Sequence, residues 1–260
     1  MTRIASIDEG RGSTAVFLLH GVGGGKEAWP DTVAALVGAG YRAIAWDMPG
    51  YGGSDFFEPY SNQGLGEACA ELIAGAGASR NVILGHSMGG MVAQEFVALH
   101  PGRIDGLILS GTSPAFGKLG GDWQRRFLAS RFAPLDAGRG MAGLAPELVA
   151  AMIGSGADAA GAEAARRVMS GVREATYRAA LSAIVSFDRR ENLGNIDVPT
   201  LCIAGEEDRN AMPSVMEKMA ERIPGAQYVC LPRIGHIANL EAPAAFNALV
   251  LDFLQRHFPN

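Results

Sequence analysis

The sequence predicts an α/β protein: a doubly wound, mostly parallel sheet with a helical cap inserted in it. Three observations carry this. Short continuous apolar runs alternate with helical patterns along most of the 260 residues; Ser87 stands between glycines where one such run gives way to a helix; and residues 116–190 repeat helical patterns without a convincing strand.

Continuous apolar runs, as opposed to alternating ones, suit strands covered on both faces. The candidates are Val16–Leu19, Ala43–Trp46, Val82–Leu84, Gly106–Leu109, Thr200–Ala204 and Tyr228–Leu231, several closed by Gly, Pro or Asp. Arg3–Ile7 offers one further short strand. Helical patterns lie between them at Trp29–Gly38, Gly66–Ala76, Met91–Leu99, Pro213–Arg222 and Ala244–His257. In the strandless stretch they recur at Asp122–Phe132, Pro146–Ile153, Ala160–Val172 and Glu174–Phe187, and the Ala- and Gly-rich run Gly154–Gly161 reads as a loose linker. The expected division is a core of residues 1–115 and 191–260, with residues 116–190 as a cap. An insertion of this size usually has a lid or binding role.

Composition narrows the class. With 48% hydrophobic residues and no apolar run long enough to span a bilayer, one large domain with ample core is expected, and no membrane partner. Met1–Glu9 carries acidic residues and lacks a secretory layout, so the default expectation is cytoplasmic. A net charge of -5 offers no general field for nucleic acid. Cys69, Cys202 and Cys230 are isolated and odd in number, which suits reduced thiols filling the core.

Chemistry concentrates at strand ends, where ligands of an open α/β sheet bind. In Gly85-His86-Ser87-Met88-Gly89 the glycines let neighbouring backbone pass close to a strained serine, which is lifted to where a substrate can reach it. A serine hydroxyl is a poor nucleophile without a base, and the base needs an orienting group. His236 follows the last core strand and is the best base; His20 and His86 lie nearby as structural residues, while His100 and His257 sit at a helix end and in the terminal helix. Asp208, just beyond the strand Leu201–Ala204, is the orienting acid, with Glu206 and Glu207 as rivals by proximity. The earlier acid position holds only Ser110, Gly111, Thr112 and Ser113. Developing charge on a carbonyl oxygen would meet the backbone N–H groups of Met88 and of Val22 in the loop His20–Gly25. That loop is glycine-rich but lacks a following Lys-Ser/Thr pair, which argues against a nucleotide site.

These motifs, with Asp47–Ser54, Gly205–Asp208 and Gly235-His236, resemble the α/β-hydrolase superfamily from about Val16 to Phe258. The resemblance implies a catalytic triad of Ser87, Asp208 and His236, with neither metal nor organic cofactor required. Related dehalogenases and epoxide hydrolases carry aspartate at the elbow, so Ser87 implies acyl transfer. Carbon–carbon hydrolases of ring-cleavage diketones usually have Asn before the serine and Trp after the histidine, where this chain has His86 and Ile237. The pattern is nearest the enol-lactonase and small carboxylesterase group, which implies a serine hydrolase acting on a small-molecule ester or lactone. A receptor that binds without turnover is the alternative from another class, and perhydrolase or haloperoxidase-like side activity would use the same triad.

The substrate is less legible. Trp123, Phe127 and Phe187, with Phe116, are expected to line an apolar pocket, although aromatics at helical spacing also pack ordinary cores. The cap is locally basic, with Arg125, Arg131, Arg173 and Arg189 among its arginines. Solvated faces explain most of them, and an inward-facing one would suit a substrate carboxylate.

Overall fold

The structure, a computed structural model, describes residues 3–259, so Met1 and Thr2 of the N-terminal reading, and Asn260, lie outside it. Seven strands form one sheet: β1 Ser6–Glu9, β2 Thr14–Leu19, β3 Arg42–Trp46, β4 Arg80–His86, β5 Gly106–Ser110, β6 Thr200–Gly205 and β7 Gln227–Leu231. Their spatial order is β1-β3-β2-β4-β5-β6-β7, with β1 antiparallel to β3 and every other pairing parallel. The chain therefore reverses direction across the sheet between β2 and β4, the crevice where open α/β sheets bind ligands.

Alternation inside each strand explains why the runs read as continuously apolar. On β2, Phe17 and Leu19 enter one core cluster while Val16 and Leu18 enter the other. Leu107 and Leu109 on β5 face the first cluster and Ile108 the second; Cys202 and Ile203 divide in the same way on β6. Helices α2 (Asn62–Ala76), α3 (Met88–Leu99) and α8 (Pro213–Arg222) cover the first face, and α1 (Pro30–Gly38) and α10 (Pro243–His257) the second.

Between β5 and β6 run α4 (Asp122–Asp136), α5 (Gly140–Ala150), α6 (Ala159–Ser170) and α7 (Glu174–Ile184); α9 (Ala238–Glu241) precedes α10. The two ends of this excursion are fastened together. Ala115 and Asp188 form an antiparallel bridge, Phe116 N–H donates to the Phe187 carbonyl at 3.0 Å, and Arg189 N–H donates to that of Pro114 at 2.7 Å. Beside this neck, Arg189 makes a two-pronged ion pair with Glu95 on α3, at 2.8 and 2.6 Å, where the Glu95 side chain is only 4% exposed.

Several expectations need correction. The first strand is Ser6–Glu9, later than Arg3–Ile7, because it must pair with β3. Helix α2 begins at Asn62, where the Ser61 hydroxyl caps Gly64 N–H, and α3 begins directly after Ser87. Pro146 lies inside α5, not at its start. Cys69 and Cys202 are buried, but Cys230 is exposed on the outer strand β7. Gly154–Gly161 is no loose linker: Gly154 N–H donates to Glu241, Gly156 N–H to the Arg233 carbonyl, and a Cβ on Gly161 would stand 1.7 Å from the Leu240 carbonyl oxygen.

Replacing Arg189 with alanine strands the Glu95 carboxylate without its cation. Urea denaturation of R189A is expected to show a loss of about 2–3 kcal/mol, and the apolar double variant E95L/R189M to recover most of it.

Candidate active site

Ser87 sits at φ 53 and ψ -118, and it and Arg233 are the two positive-φ residues other than glycine among those described. Such backbone costs about 1–3 kcal/mol, so surrounding contacts must hold it. They do so from both sides. A Cβ on Gly85 would lie 2.5 Å from the Gly89 carbonyl oxygen, and one on Gly89 would lie 2.0 Å from that of Leu19. The serine N–H donates to the Ser110 carbonyl, while its own carbonyl accepts from Thr112 Oγ1 at 2.7 Å and from the N–H groups of Gly90 and Met91.

Sheet register then delivers the partners. Leu19 pairs with Gly85 and Gly205 with Leu231, so the loops after β2 and β4 are neighbours, as are those after β6 and β7. His236 Nε2 lies 2.9 Å from Ser87 Oγ, and His236 Nδ1 lies 2.8 Å from Asp208 Oδ2. With Nδ1 protonated toward the carboxylate, Nε2 is free to accept the serine proton. Burial opposes the charge on Asp208, but His236 and the N–H groups of Ala211 and Asn210 outweigh it and hold the carboxyl below its usual range. The rival acids are engaged elsewhere: Glu206 accepts from Arg233 N–H, and Glu207 from the Ser155 N–H and hydroxyl.

The glycine loop is fixed by side chains around it. Asp47, buried, accepts from the Lys26 ammonium at 2.6 Å and from the N–H groups of Lys26 and Gly53. Tyr51 OH donates to the Val22 carbonyl at 2.9 Å. A Cβ on Gly21 would come within 2.9 Å of the Ser87 Cβ, so the loop passes against the serine. Among the described residues, neither the Val22 nor the Met88 N–H donates within the protein.

Three histidines surround the serine in different states. His20 donates from Nδ1 to the Gly21 carbonyl and accepts at Nε2 from Met48 N–H, an arrangement only the neutral ring can make. Burial pushes its pKa down to about 4. His86, its ring centroid 5.0 Å from that of His236, is pushed by burial, and next by His236, down to about 3. The reading of both as structural agrees with these surroundings.

Two chambers meet at Ser87. A small one of about 50 Å³ is lined by Trp29, Val168, Met169 and Leu240 among others. A larger one of about 320 Å³ is lined by Phe116, Trp123, Phe127 and Tyr177 among others, and both include Val22, Ser87 and His236. Phe187 departs from expectation: it is 1% exposed, packs in the core and lines neither chamber, because its backbone belongs to the neck. Trp123 is 52% exposed, stacked against Phe127.

Sequence reasoning missed Glu241. Its buried carboxylate accepts from the N–H groups of Gly154 and Gly235 through Oε2 and of Ile237 through Oε1, bracketing His236. The available signal was the sole acid in Ile234–Ala242.

The fold and this arrangement define a hydrolase-type α/β protein, and comparison agrees. A model described as "Alpha/beta hydrolase family" matches residues 16–249, and the chain belongs to that family. It is 31% identical to the putative carbamate hydrolase RutD of Variovorax paradoxus (strain S110), over 93% of this chain and 92% of the relative. It is 30% identical to the 2-hydroxy-6-oxononadienedioate/2-hydroxy-6-oxononatrienedioate hydrolase of Cupriavidus pinatubonensis, over 97% and 90%. The enol-lactonase from Burkholderia xenovorans LB400 superposes with a TM-score of 0.84 at 27% identity, covering 98% of this chain and 97% of that one. No helix among the described residues is long and apolar enough to cross a membrane.

The depressed histidines imply acid sensitivity. From pH 6.5 down to about 4, the unfolded chain takes up protons at His20 and His86 that the folded chain refuses. Stability is therefore fully present above this window and falls as pH drops through it, by ~1.4 kcal/mol per pH unit for each histidine. Urea midpoints at several pH values are expected to show a shallower slope in H20N and in H86Q than in the parent protein.

Proposed function

We propose that this protein is a serine hydrolase that cleaves a carboxylic ester or lactone through an acyl-enzyme intermediate. The observation that carries the reading is the continuous relay from Ser87 Oγ through the His236 ring to Asp208, at 2.9 and 2.8 Å. His236 takes the serine proton as Oγ attacks the carbonyl carbon. Asp208 stabilises the imidazolium, and the Val22 and Met88 N–H groups receive the oxyanion. The imidazolium protonates the leaving alkoxide; then water, deprotonated by the same ring, releases the acid. The four helices between β5 and β6 act as a cap over this chemistry, with Trp123 and Phe127 contacting substrate.

A second reading, hydrolysis of a carbon–carbon bond in a diketone, draws on the 30% identical Cupriavidus hydrolase. The presence of His86 and Ile237 beside the serine and histidine favours the ester reading.

Replacing Ser87 with alanine is expected to lower kcat for a short p-nitrophenyl ester by at least about 10,000-fold, and Asp208→Asn by about as much. A fluorophosphonate probe should label the parent protein and leave S87A unlabelled. Near-parental turnover in S87A rejects the mechanism.

A further inference from the structure

Arginines are abundant between β5 and β6, and most are committed. Arg125, Arg139, Arg166, Arg178 and Arg190 pair with carboxylates, Arg189 with Glu95, and Arg173 donates to the Gly50 carbonyl. Arg131 is not committed in this way. Half-buried on α4, it lines the larger chamber with its guanidinium 5.4 Å from the Phe127 ring centroid, and its side chain makes no hydrogen bond or ion pair among the described residues. Arg209, directly after Asp208, lines the same chamber and likewise has no ion pair within 4.0 Å. Glu207 is the acid that feels Arg209, and its carboxylate is held by Ser155.

No Asp or Glu is among the residues lining this chamber. A protein of net charge -5 thus surrounds a cavity with two cationic side chains and no lining anion. The Arg131 guanidinium carbon lies over the Phe127 ring, and this cation–π contact restricts the side chain before an anion arrives.

We infer that the substrate carries a carboxylate on the arm remote from the scissile bond, gripped by Arg131 and supported by Arg209. The inference rests on the ester hydrolase reading and names its substrate class. The small chamber beside Ser87 takes a short apolar group, and the larger one takes the anionic arm. Hydrolysis breaks the acyl C–O bond; water supplies hydroxyl to the acyl carbon and a proton to the alkoxide, and the remote carboxylate is unchanged.

The test compares monomethyl esters of four- to eight-carbon dicarboxylates with methyl esters of the matching monocarboxylates. A second series, ω-acetoxyalkanoates against alkyl acetates, covers the reverse orientation of the ester. In one series the anionic ester is expected to bind S87A about 10- to 100-fold more tightly by calorimetry, with the same preference in kcat/KM of the parent protein. R131Q should remove most of the charged-to-neutral ratio, R131K should keep part of it, and R209Q should reduce it less; thermal unfolding confirms that each variant folds. The parent preference should also shrink with added salt. Arg131-dependent preference for the anionic ligand in binding, without turnover by the parent protein, would defeat the hydrolase reading and leave only the carboxylate site standing. Serine-dependent turnover with no preference in either series, or a preference intact in the R131Q/R209Q double variant, would overturn the inference and leave the hydrolase reading standing.

Discussion

The left-handed backbone at Ser87 is the constraint on which the rest of the site depends. A residue with a side chain is held there because the segments before and after it are clamped: β4 is paired with β2, Gly89 of α3 lies against the Leu19 carbonyl where no Cβ would fit, and the serine carbonyl is gripped by Thr112 and two amides of α3. Strain of this kind persists when its surroundings over-determine it. The consequence is geometric. Leu19 and Gly85 are register partners, so the clamp that strains the serine also brings the glycine loop and its Val22 amide beside it.

A second knot serves the other half of the site. Gly205, Gly235 and Gly154 come from three separate segments, and each packs its backbone where a Cβ would stand within 2.4 Å of a carbonyl oxygen. Glu241 threads through this contact, its carboxylate accepting from Gly154, Gly235 and Ile237, while His236 N–H donates to the Met152 carbonyl. The loop that carries His236 is therefore built partly from the segment joining α5 to α6. That segment thus touches the loop of the imidazole directly, whereas the neck at Ala115 and Asp188 fastens the two ends of the excursion to each other.

Much of this was legible in the sequence because burial on both faces writes strands as unbroken apolar runs, and because a parallel sheet delivers its strand ends to one edge. Ser87, Asp208 and His236, which the structure brings within hydrogen-bond reach of one another, each follow from a strand end plus a chemical requirement. What escaped depended on side-chain direction or on contacts distant in sequence. Phe187 and Phe127 look alike as letters, yet the neck turns the first into the core. Cys230 reads as apolar filler but faces out from β7, at the edge of the sheet. Gly154–Gly161 has a linker's composition, yet its glycines mark close backbone approach instead of looseness. Helix starts were displaced where a cap or an elbow began the helix before its apolar pattern did, as at Ser61 and Ser87.

Three histidines near one serine also raise the question of which one can act as base, and environment answers it. Both ring nitrogens of His20 are used in holding Gly21 and Met48, so taking a proton would break the Met48 contact and loosen the glycine loop. His86 is buried with Nδ1 unpartnered among the described residues, and burial holds it neutral far below physiological pH. Only His236 joins a hydroxyl at one nitrogen to an ionised carboxylate at the other. Placing a proton on it creates an ion pair with Asp208, while placing one on either neighbour creates a buried charge with no carboxylate in hydrogen-bond contact. The same imidazole side chain is thus a structural strut twice and the proposed base once, and the difference lies in the partner each ring is given.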